Sequence, residues 1–142
     1  MKVNKGSRPV SNGSINSAKL LAEQRSKENI NFSFKYIDAE NTKFCFYNHD
    51  GKYFIEFIDR IKVLSSWSKQ EIISNRSGAL KAHPIDFGHT SESGFNFPQH
   101  DQIVDVPYQF SLGKNEHGRV HGFFINNTFY IVWLDKMHEL YP

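Results

Sequence analysis

Two apolar runs close the chain, residues 119–125 (RVHGFFI) and 128–134 (TFYIVWL), separated only by Asn126 and Asn127. Both are rich in β-branched and aromatic residues, and asparagine tolerates the positive φ of a two-residue turn, so the spacing predicts an antiparallel hairpin. With that turn Ile125 faces Thr128, while Phe124, Phe123 and His121 face Phe129, Tyr130 and Val132. Alternation gives one face with Val120, Phe124, Phe129, Ile131 and Trp133, uncharged until Asp135 and therefore expected on the main core. The other face carries Arg119, His121, Phe123, Tyr130 and Val132, apolar near the turn and basic at the open end.

Upstream, Phe54, Phe57, Ile58, Ile61 and Leu64 recur at spacings of three and four, which predicts a helix over 52–66. Ser68 and Glu71 have the spacing of a capping box, so a second helix is expected to run to about Asn75, with Trp67 stapled against Ile72. Residues 31–38 alternate Phe32, Phe34 and Tyr36 with Ser33, Lys35 and Ile37. That is a strand pattern, joined to 43–47 as a hairpin or as one long bent strand. Pro84 restricts 80–87 to an edge strand or a loop. Residues 89–106 show little period and read as a long surface loop, and 108–112 alternates as a strand leading into the final hairpin. Residues 17–29 form a modest helix expected to pack through Leu20 and Leu21, and 1–16 reads as a flexible tail. The expected architecture is a single α+β domain, 17–142. It is a mainly antiparallel twisted sheet of four to six strands packed on two consecutive helices, with an N-terminal helix and tail.

At 142 residues, with 39% hydrophobic and 15% aromatic content, the chain suits one domain with a real core. No run of eighteen apolar residues is present and the first residues are polar and charged, so a cytoplasmic protein with no membrane partner is expected. The single cysteine, Cys45, lies within an apolar run and reads as a small buried hydrophobe. Charge is unevenly placed: residues 1–30 hold six Lys/Arg against two Glu, whereas 31–142 hold eleven against thirteen Asp/Glu. Global charge therefore gives no support to nucleic-acid binding by the folded part, and such a claim must rest on a local cluster.

The open end of the final hairpin is also where the chain leaves the sheet towards His138 and Tyr141, so Arg119, His121, His138 and Tyr141 are expected to converge at one solvated sheet edge. Metal-free RNA cleavage needs a base for the ribose 2′-hydroxyl, an acid for the leaving 5′-oxygen and a cation for the phosphorane charge, and these four residues could fill those roles. The bland alternative is a C-terminal tyrosine acting as a packing anchor and Arg119 paired with Asp135 across the strand ends. Arg76 and Lys81 are candidates for a phosphate-binding wall, or simply solvated charges. His83, His89 and His100, with Asp86, Glu92 and Asp101, are of metal-ligand type, but their spacing fits no structural zinc pattern, so neither a metal nor a cofactor is expected.

The order strand, helix, helix and three antiparallel strands, ending in His138-Glu139-Leu140-Tyr141, resembles the RelE/ParE superfamily of bacterial toxins. The resemblance implies a twisted sheet backed by two helices and, in many members, cleavage of messenger RNA under the control of an antitoxin protein. By motif position it implies Arg119 as the basic residue of the penultimate strand and His138 with Tyr141 as the C-terminal groups of an RNA-cleaving edge, its RNA free or on the ribosome. Two other classes stay open: a non-catalytic protein-binding module of the same fold, and a nucleic-acid-binding protein working through the basic N-terminal arm.

Overall fold

The structure is a computed structural model, which describes residues 16–21, 28–44, 47, 50–113 and 118–142. The expected tail, the second half of the N-terminal helix, Cys45 and most of the turn before Gly118 lie outside the described residues. The fold is α+β. A five-stranded mixed sheet is formed by β1 (Asn31–Ser33), β2 (His83–Pro84), β3 (Pro107–Ser111), β4 (Arg119–Ile125) and β5 (Thr128–Asp135) in the order β1-β5-β4-β3-β2. All neighbours are antiparallel except β1, which lies parallel to β5.

Two consecutive helices, α1 (Gly51–Leu64) and α2 (Lys69–Ile73), cover one face of the sheet. The Asp50 side chain caps α1 by accepting the Tyr53 amide at 3.0 Å, satisfying a donor with no partner inside the helix. The Ser68–Glu71 capping box of α2 is formed in both directions. Tyr53, Phe57, Leu64 and Ile72 pack on Phe110, Val120, Phe124, Phe129, Ile131 and Leu134. The described N-terminal residues 16–21 are helical, but Leu20 and Leu21 are exposed rather than packed.

The hairpin turns at Asn126, whose φ of 53° is the left-handed value its side chain tolerates, and Phe124 pairs with Phe129 as expected. Further from the turn the register departs from the simple count. Gly122 pairs with Ile131 but His121 pairs with Trp133, leaving Val132 as the extra residue of a β-bulge. Glycine permits it: a Cβ at Gly122 would overlap the Tyr130 carbonyl oxygen and press on the Phe129 ring. Alternation resets after the bulge, so Trp133 is buried on the face opposite the helices and Leu134 takes the place expected for it.

That second face is also covered. Residues 89–106, expected as a surface loop, contain the short helix α3 (His100–Ile103) and, with Ile85 and Phe87, lay Phe95, Phe97, Ile103 and Val104 over Phe123, Val132 and Trp133. The expected strand over 31–38 stops at Ser33. Its continuation follows the edge of β5 irregularly, with Asp38 N–H donating to the Val132 carbonyl at 3.0 Å and Leu134 N–H to the Phe44 carbonyl at 2.9 Å. Tyr36 and Phe44 join the aromatic face, and among the described residues no hairpin pairs 31–38 with 43–47, of which 45 and 46 lie outside the described residues. Pro84 sits in the edge strand β2, where a missing N–H is tolerated. No described helix is long and apolar enough to cross a membrane.

Candidate functional site

β4 and β5 place Arg119, His121 and Asp135 at the expected end of the hairpin, but under the surface. Arg119 is 6% exposed and His121 is fully buried, which corrects the expected solvated edge. The bulge turns His121 beneath Trp133 and Phe44. There His121 Nε2 lies 2.9 Å from Asp135 Oδ2. Asp135 also accepts the backbone amides of Glu139 at 2.7 Å and Leu140 at 3.0 Å, and so folds the tail back onto the sheet with Leu140 buried. Arg119 donates to the Gly118 carbonyl at 3.0 Å, and its own carbonyl accepts the Tyr53 hydroxyl at 3.3 Å.

Burial lowers the His121 pKa, and the bond to Asp135 opposes that without reversing it. For Asp135 burial pushes upward, but the His121 contact and the two tail amides hold it below the usual carboxylate value. The consistent state is an ionised Asp135 accepting from a neutral imidazole protonated on Nε2. His121 Nδ1 then carries the lone pair, and it has no hydrogen-bond partner among the described residues. A carboxylate-oriented imidazole is a good base, but one with no solvent access has no substrate to act on.

The tail brings the remaining two residues together at the surface. Both His138 and Tyr141 are half-buried, with ring centroids 6.3 Å apart. No helical turn is needed, because His138 takes a left-handed φ of 56°. That conformation is uncommon outside glycine, although histidine adopts it more readily than most residues. The Tyr141 hydroxyl accepts the Asp86 amide at 2.9 Å, and its ring meets His83 edge-on at 5.8 Å. His83, in the sequence a residue of metal-ligand type, is the sequence-distant member of this edge. Its Nδ1 lies 2.8 Å from the Pro84 carbonyl and its Nε2 2.8 Å from Gln109 Nε2, and these two contacts hold the ring in place at the edge strand. The signal was faint: a histidine beside a proline in an edge strand.

Arg76 and Lys81 are both exposed, Lys81 two residues before His83 and at a φ of 49°. His89 and His100 pair with their neighbours Asp86 and Asp101. Among the described residues no three metal-ligating side chains gather. Comparison of the chain with protein-family models, with curated proteins and with solved structures returned no match.

Proposed function

We propose that the protein is a RelE/ParE-like toxin that cleaves messenger RNA without a metal and is restrained by an antitoxin protein. The observation that carries this reading is the half-exposed edge where His138, Tyr141 and His83 meet, at the end of an element order that runs strand, helix, helix, short edge strand, short helix and three antiparallel strands. In this reading His138 takes the proton of the ribose 2′-hydroxyl, whose oxygen attacks phosphorus, and Tyr141 protonates the departing 5′-oxygen. Lys81 supplies the surface cation for the phosphate, with Arg76 a second contact for the RNA. Arg119 and His121 change role: both are buried, and His121 supports the Asp135 carboxylate that holds the tail carrying the reacting groups. Cleavage by His138→Asn and by Tyr141→Phe is expected to fall by about two to four orders of magnitude. Asparagine keeps the left-handed backbone accessible, so a loss of activity is not a loss of fold. The test is induced expression in bacteria with growth and transcript integrity followed together. Unimpaired growth and intact transcripts with soluble wild-type protein would end this reading.

A non-catalytic protein-binding module of the same fold is the second reading. It is favoured by the closure of the His121–Asp135 pair and by apolar side chains left on the outer side of α1, with Ile55 66% and Ile58 59% exposed. It gives no cleavage by the wild type under any of these conditions.

A further inference from the structure

Beside Ile55 and Ile58 on α1 lies a cleft that neither reading uses. It has a volume of about 330 Å³ and is lined by Glu56, Asp59, Arg60, Val63, Ala79, Leu112 and Gly113, at the low end of the range of about 300–1,000 Å³ for small-molecule sites. Its inner wall holds an unusual group. Arg60 is half-buried and makes no hydrogen bond or ion pair with any described residue, its Nε shut off from solvent without an acceptor. Where part of a guanidinium is buried, an anion bound at its open terminal nitrogens offsets the desolvation of the buried part. Glu56 and Asp59 line the same cleft and neither pairs with it.

The backbone makes room for this arrangement. Gly113 takes a φ of 94°, and a Cβ there would lie 2.9 Å from Arg60 Cζ and overlap a terminal nitrogen of the guanidinium. Only glycine combines that backbone with that closeness. Val63, Ala79 and Leu112 supply apolar wall beside the charge.

We propose that this cleft is a binding site for a monocarboxylate carried on an apolar body, with the carboxylate on the Arg60 fork and the body against Val63, Ala79 and Leu112. The planar guanidinium matches two carboxylate oxygens. The carboxylates of Glu56 and Asp59 repel a second negative charge, which favours a monoanion over phosphate. The same chemistry is offered by a free aliphatic acid and by the C-terminal carboxylate of a peptide ending in leucine.

The test is amide-resolved NMR titration of the full chain with hexanoate, hexanol, inorganic phosphate, and a short leucine-terminated peptide as free acid and as amide. Saturable shifts at Val63, Ala79 and Leu112 are expected with hexanoate or the free-acid peptide, the tighter of the two identifying the source. Hexanol or the peptide amide should bind at least about tenfold more weakly, and phosphate should not saturate. Arg60→Gln should weaken carboxylate binding about tenfold or more. Ala79→Trp should block it by filling the cleft while leaving Arg60 in place, with the wild-type spectrum elsewhere reporting an intact fold. Equal affinity for acid and alcohol, saturation by phosphate, or no saturable shift with either carboxylate would overturn the proposal.

Discussion

Both faces of the sheet are covered, but they are built differently. The helix-covered face mixes Ile30, Leu64, Ile72, Leu80, Val120, Ile131 and Leu134 with rings such as Tyr53, Phe57 and Phe129, whereas on the opposite face the largest buried side chains, Phe44, Phe95, Phe123 and Trp133, are all aromatic, with Tyr36, Phe87, Phe97 and Tyr130 around them and Ile85, Val132 and Leu140 between. Helices bring their own satisfied backbone, so their side chains need only fill space. An irregular cover must satisfy its backbone locally, and here polar side chains do it: Asn41 accepts the amides of Lys43 and Phe44, Asp86 that of Gly88, and Thr90 that of Glu92. Large rigid rings then supply much buried area from few residues. The helix face is thus secured by regular structure, and the aromatic face by rings and turn bonds.

The largest effect that could break this comparison is at Trp133, which packs at 4.8–4.9 Å between the centroids of Phe44 and Phe95 and donates its indole N–H to Asp38 at 3.0 Å. Trp133→Ala is expected to destabilise the protein by about 3–5 kcal/mol, from lost burial plus the cavity left behind. Native-state hydrogen exchange should show the amides of 85–104 losing protection well before those of α1. Equal loss in both regions would mean that the two faces are one cooperative unit.

How much of this was legible follows the same division. The helix face could be read because α1 has apolar spacings of three and four, α2 has its capping box, and the hairpin has Asn126. The aromatic face could not, because Phe95 and Phe97 lie in a stretch with no period, and their burial depends on partners distant in sequence. One inserted residue, Val132, also sent Trp133 and Leu134 to faces opposite to those alternation assigns. A bulge has no periodic signature; its trace was Gly122 inside an otherwise bulky strand, which marks a close backbone approach. The candidate site divides likewise. Sequence brought Arg119, His121, His138 and Tyr141 to one end of one hairpin, but depth is set by what covers that end, so Arg119 and His121 were expected in solvent. Asp135 reads from the sequence as an ion-pair partner of Arg119, whereas it accepts two backbone amides of the tail and lies against His121.

A smaller effect sharpens the comparison through pH. The folded-state pKa of His121 is depressed by burial, with Asp135, Arg119 and His83 as the charged or titratable groups acting on it. The unfolded chain therefore binds the extra proton first, and stability should decline as pH falls below the ordinary histidine value of 6.5. One proton sets a limiting slope of about 1.4 kcal/mol per pH unit. Asp135 is depressed too, so its contribution is complete above 3.8 and is lost only as pH falls from there through the folded value. Between pH 7 and 5 the change belongs to His121, and His121→Gln should flatten the dependence of denaturation midpoint on pH in that window. An unchanged slope in the variant would place the acid sensitivity elsewhere.

The smallest effect tests whether the faces are energetically separate. Ser68→Ala removes the hydroxyl that accepts the Glu71 amide at 3.1 Å and leaves that donor at the start of α2 without its cap, a loss of about 1 kcal/mol. Thr90→Val removes the hydroxyl that accepts the Glu92 amide at 3.1 Å and shares its one proton between the Phe87 and Glu92 carbonyls, with a cost of similar order and little change of shape. One site serves the helix face and the other the aromatic face, and the sheet lies between them. If each cover answers to its own local bonds, the double variant should lose the sum of the two single losses to within about 0.5 kcal/mol, as distant sites do. Denaturant unfolding of the four proteins measures this directly. A coupling clearly above that margin would mean that loosening one cover shifts the strands under the other, and the division between a helix-secured and a turn-secured face would then describe composition alone.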